Sequence, residues 1–145
     1  MNTTLEELHL KLIVPIEEVY PQFKGQDHFY GPGDYQPLLN SLEYTIAVQE
    51  TEPDYQGDTW LLLRDTEGDR WGYLCFGWGS CSGCDALQAC ETYQDIDALR
   101  RKLYHDIRWD TKAGLLAWLN EHDWEGDFSS KPEYFLAAAK AVLST

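Results

Sequence analysis

Basic residues are scarce in this chain. Eleven Lys and Arg stand against 25 Asp and Glu, giving a formal charge of −14. A surface so charged repels phosphates, which excludes non-specific nucleic-acid binding. Long apolar runs are missing as well. No segment approaches the ~18 continuous apolar residues of a membrane span. The N-terminus, MNTTLEELHLKL, is acidic and lacks the basic start of a secretory signal. These absences predict a cytoplasmic protein. Thiols stay reduced there, so four cysteines do not imply two disulfides. No internal repeat and no low-complexity tract is present. The run GWGSCSG lacks the lysine of a phosphate-binding loop and the fingerprint of a dinucleotide fold. His9, His28, His105 and His122 are scattered. None pairs locally with a Ser or Cys in a catalytic order. The sequence therefore leans away from an enzyme.

What is present suffices for one folded domain spanning residues 1–145. The chain is 43% hydrophobic and 14% aromatic, too apolar for a disordered acidic tail. The acids are unevenly spread. Residues 1–58 hold 11 acids and two bases, Lys11 and Lys24.

Thr4 and Glu7 fit a capping box before Leu5, Leu8 and Leu12, which favours a helix over 4–13. The alternation of Leu8, Leu10 and Leu12 suits a strand equally. Pro15 ends that element or opens a short helical turn through Val19. Residues 21–41 carry Pro21, Gly25, Gly31, Pro32, Gly33 and Pro37, which predict an irregular loop. Phe23, Phe29, Tyr30 and Tyr35 sit within it. They either clamp the loop down or, for Tyr30 and Tyr35, face a partner. Strands follow at 44–49, 59–63 and 70–78, with a hairpin turn at Asp65–Asp69. Helices follow Cys90. Asp95 is the expected cap of the first, which carries Ile96, Leu99, Leu103 and Ile107. Asp110 or Thr111 caps the second, and Ser130 with Glu133 the third. The predicted class is α+β: a small antiparallel meander of about three strands with helices on one face.

All four cysteines, Cys75, Cys81, Cys84 and Cys90, lie within WGYLCFGWGSCSGCDALQAC. The stretch reads as a strand, a tight turn and the start of a helix. A structural zinc site usually draws on two separated ligand pairs. Here there is one C-x2-C, so a site would need Cys81, Cys84, Cys90 and His122, or Cys75 or His105 in place of the last. A strand leading into C-x-x-C at a helix N-terminus also resembles the thioredoxin-like arrangement, in which the helix dipole lowers a thiol pKa. The remaining chain departs from that fold, offering helices and one proline, Pro132, after Cys84. The third possibility is structural: cysteines behaving as small hydrophobes, with Leu87 and Cys90 facing inward. No metal or cofactor is favoured. Asp123, Glu125 and Asp127 read as a solvated acidic loop, because Gly126 precedes the third acid rather than following it.

The run from Gly77 to Gln88, GWGSCSGCDALQ, resembles a motif in small, acidic, uncharacterised proteins carried by bacteriophages and bacteria. His122-Asp123-Trp124-Glu125-Gly126 is similar too. The resemblance implies no activity. It implies a phage-associated setting, in which small acidic proteins often inhibit host machinery. The expected function is thus a non-enzymatic acidic protein that occupies a partner's basic surface, as an inhibitor or nucleic-acid mimic. The expected contact residues are Asp27, Tyr30, Asp34 and Tyr35. Carboxylates would steer association, and tyrosines would supply contact area. The alternative is a cysteine-dependent protein, zinc-stabilised or thiol-redox through Cys81 and Cys84.

Overall fold

Apolar residues alternating with polar ones set the first strand, β1 (Tyr44–Thr51). In the computed structural model it is joined by β2 (Gly57–Asp65), β3 (Trp71–Trp78) and β4 (Arg108–Asp110) in one sheet, ordered β1-β2-β3-β4. The described residues are 14–25, 28–29, 31–52, 57–65, 67, 69–79, 85–124 and 131–145. The predicted 4–13 element lies outside them. The class is α+β, as expected, and among the described residues the sheet has four strands where about three were expected. β4 is three residues long, too short to show any period. It pairs antiparallel with β3, Gly72 opposite Trp109. Glycine is required there because a Cβ would meet Ile107 Cγ2 at 2.6 Å and the Trp109 ring at 2.9 Å.

Among the described residues there are five α-helices: α1 (Ile16–Val19), α2 (Gln36–Asn40), α3 (Tyr93–Asp106), α4 (Lys112–Glu121) and α5 (Glu133–Leu143). Pro15 precedes α1 as its N-cap and so opens the short helical turn through Val19. Residues 21–41 are less irregular than expected, because Pro32 opens a 3-10 turn (Pro32–Tyr35) that runs into α2. Pro32 and Pro37 occupy first-turn positions, where a missing N–H costs nothing. The cap of α3 also differs from expectation. Thr92 is the cap: its Oγ1 accepts the Asp95 N–H at 3.1 Å. Asp95 reaches back to accept the Glu91 and Thr92 N–H groups at 2.9 and 3.1 Å. This is a reciprocal capping box. Thr111 caps α4, accepting the Gly114 N–H at 3.0 Å. Ser130 lies outside the described residues. At α5 the Phe135 N–H donates to Glu50 Oε2 of β1 at 2.9 Å, so a neighbouring strand supplies that acceptor. Among the described residues, no helix is long and apolar enough to cross a membrane.

The chain forms two compact units, each drawn from two stretches. The sheet unit comprises Tyr44–Gly77 and Asp106–Thr145. Its core joins Trp60, Leu62 and Trp71 of the sheet to Leu115 and Leu119 of α4 and Phe135, Leu136, Ala139 and Leu143 of α5. Trp124 closes it, and its Nε1 donates to Leu119 O at 3.1 Å. Cys75 packs half-buried against this core. The α3 unit comprises Met1–Glu43 and Trp78–His105. Its buried side chains include Ile16, Phe29, Leu38, Leu39, Leu87, Ile96 and Leu103.

Candidate functional site

The segment 80–84, with Cys81 and Cys84, lies outside the described residues. Its flanks are described, and they converge on one carboxylate. β3 ends at Trp78, and Asp85 follows the turn. Asp85 is 3% exposed. Its Oδ2 accepts the Gly79 N–H at 2.9 Å, tying the two ends of the segment together. Its Oδ1 accepts from the Leu87 and Gln88 N–H groups at 2.9 and 3.1 Å. Tyr35 Oη donates to the same Oδ1 at 2.9 Å. Gln88 Nε2 completes the arrangement, donating to Gly79 O at 2.7 Å. Four donors on a buried carboxylate offset the loss of its hydration.

The helix expected to start directly after the cysteines is instead a single turn over 86–89, with Ala89 N–H donating to Asp85 O at 3.1 Å. The Asp85 side chain takes the N–H groups two and three residues on, the habit that favours Asp in turns. Leu87 and Cys90 face inward, as expected. The Cys90 thiol donates to Ala86 O at 3.3 Å. Burial, then the charges of Asp95 and Asp85, push it up to about 11. Cys90 is therefore a protonated, packed thiol at neutral pH.

The expected contact residues fare unevenly. Asp27 and Tyr30 lie outside the described residues. Tyr35 is corrected: it is 2% exposed and offers no area to a partner. It turned inward because its hydroxyl finds Asp85 there, while its ring fills the α3 unit. Burial first, then the Asp85 charge, raise its pKa well above the ordinary phenol value. Asp34 is half-buried and shapes the 3-10 turn, its Oδ2 accepting the Gly31 N–H at 3.3 Å. Its carbonyl accepts from Tyr20 Oη at 2.6 Å. The loop aromatics act as a clamp. Phe23 and Phe29 stack with centroids 5.4 Å apart, Tyr20 meets Phe29 edge-on at 4.9 Å, and Phe23 lies 5.4 Å from Tyr93.

Sequence reasoning missed Arg100, a charged residue at an apolar position of α3 that is 5% exposed. Its guanidinium donates to Val14 O at 2.8 Å and to Asp97 Oδ1 at 2.7 Å. Arg101 Nε donates to Asp97 Oδ2 at 3.2 Å. Burial works against ionisation of Asp97, but the hydrogen bonds and charges of these two arginines outweigh it, and the carboxyl sits below the usual range. A groove of about 270 Å³ runs here, lined by Ile16, Glu17, Tyr93, Asp97 and both arginines. Its two signs of charge nearly balance.

In the sheet unit, His122 stacks on Trp118 at 4.6 Å and meets Trp124 edge-on at 4.5 Å. Its described role is aromatic packing. Among the described residues no three His, Cys, Asp or Glu side chains gather where they could hold a metal ion.

Compared with family models, with curated proteins and with solved structures, the chain matches none.

Proposed function

We propose that this protein is a non-enzymatic binder that occupies a basic protein surface through its acids, in the manner of a phage-type inhibitor or nucleic-acid mimic. One observation carries this reading. Between Lys24 and Arg64 there are seven acids and no base. Such a stretch repels polyanions and attracts cationic surfaces over distances longer than any contact. Both compact units contribute to the excess, with 11 acids and five bases in the α3 unit and 14 acids and six bases in the sheet unit. Charge so distributed speeds encounter and selects against acidic partners.

The test begins with proteins retained from a bacterial lysate on the immobilised chain. These are purified, and their association rates measured at about 50 and 300 mM salt, either side of the ionic strength where screening becomes short-ranged. The expected partner is basic, and its association rate falls steeply with salt. A retained partner whose association ignores salt would overturn the proposal.

A further inference from the structure

Strand β1 is an edge of the sheet, and among the described residues no strand lies beyond it. The Glu52 N–H donates to Asp58 O at 3.1 Å, across to the segment that opens β2. Main-chain groups alternate in direction along a strand, so those of Thr51 turn away from β2. The register shifts between Ile46 and Val48, and such a bulge twists an edge out of plane. The regular part of the edge is therefore its second half, residues 48–52.

The same half carries the acids. Glu50 and Glu52 are two residues apart and so project from one face of the strand. Each commits one oxygen locally: Glu50 Oε2 accepts the Phe135 N–H, and Glu52 Oε1 accepts the Asp58 N–H at 3.0 Å. The exposed Glu133 opens α5, the helix that Glu50 holds. Arg64, the first base after Lys24, lies at the other end of β1, opposite Thr45.

We infer that the β1 edge receives an extended basic segment of the partner, added to the sheet as a further strand with Lys or Arg at alternate positions. This rests on the proposed function and gives it a contact. Main-chain pairing supplies affinity in strand addition, and alternate side chains supply selectivity. Lysines two residues apart match the spacing of Glu50 and Glu52, and opposite charges across paired strands attract. Acidic or mixed segments meet like charge at the same positions.

The experiment uses the full chain and three synthetic probes: a capped heptapeptide of alternating lysine and valine, and two twins N-methylated on alternate backbone nitrogens. One twin is methylated on the lysines, the other on the valines. All three carry the same charge. Binding is measured by NMR titration at low salt, with amide exchange as a second readout. A strand pairs through every other residue, so one twin is expected to lose affinity about tenfold or more while the other retains it. The unmodified peptide should slow exchange of the Thr51 amide, and Glu52→Gln should weaken it several-fold. Equal binding by all three probes would overturn strand addition and leave the charge reading intact. Binding by none would also overturn it, whereas the charge reading fails on salt-independent association with the purified partner. A concentration-dependent dimer that blocks the peptide would assign the edge to a second copy instead.

Discussion

The two compact units are held by different physics. The sheet unit is a conventional apolar core. Trp60, Leu62, Trp71, Leu115 and Phe135 interdigitate, and its stability scales with buried area. The α3 unit also has apolar members, but its organisation is polar. Asp85 gathers four donors, and Arg100 ties α3 to Val14. The contrast shows how one short chain uses two kinds of specificity. An apolar core tolerates rearrangement of similar volumes, whereas a buried carboxylate accepts one arrangement of its donors.

The strongest way to break this comparison is to damage each core in turn. Phe135→Ala removes a side chain with no exposed area, and should cost about 3–5 kcal/mol. Residue-resolved amide exchange should then speed through β2, α4 and α5. Asp85→Ala removes the shared acceptor of the Tyr35 hydroxyl and of the Gly79 and Gln88 N–H groups, leaving the Leu87 N–H on Tyr35 Oη at 3.2 Å, and should cost about 3 kcal/mol. Here the loss of protection should centre on residues 85–90 and the 3-10 turn. Asp85→Asn keeps an acceptor oxygen and should cost less. Uniform loss of protection from either alanine variant would show that the two kinds of packing do not act separately.

The smallest effect sharpens the comparison by pH. Asp97 has a depressed folded pKa, so its contribution is complete above the unfolded value of ~3.9. It is lost as pH falls through the lower folded value. Helicity followed by circular dichroism between about pH 5 and 2 should decline less steeply in Asp97→Asn than in the parent. Asp95 has the same sign, held low by the Glu91 and Thr92 N–H groups, so the substitution should reduce the dependence without abolishing it.

The residues that were legible are those whose neighbours in sequence are their neighbours in space. Apolar spacing marked α3, α4 and α5, and alternation marked β1. The α3 cap was displaced by three residues, from Asp95 to Thr92, because both members of a capping box are good cap formers. The sequence pattern makes the stretch after the cysteines the start of a helix, although the Asp85 carboxylate there serves a single turn. The local signal is the same, since both uses place an Asp oxygen near N–H groups two and three residues on.

Composition and local pattern by themselves determined the class, the acidic surface, three of the four strands and the inward facing of Leu87 and Cys90. Each follows from side-chain size, charge or period within a few residues. Tertiary structure alone decided the rest. Tyr35 meets Asp85 from 50 positions away, and Glu50 holds the start of α5 from 85 away. β4 exists because Gly72 leaves room for Trp109. No local pattern encodes such pairs, because the partner that satisfies a buried hydroxyl, or leaves space for a ring, is chosen when distant segments pack.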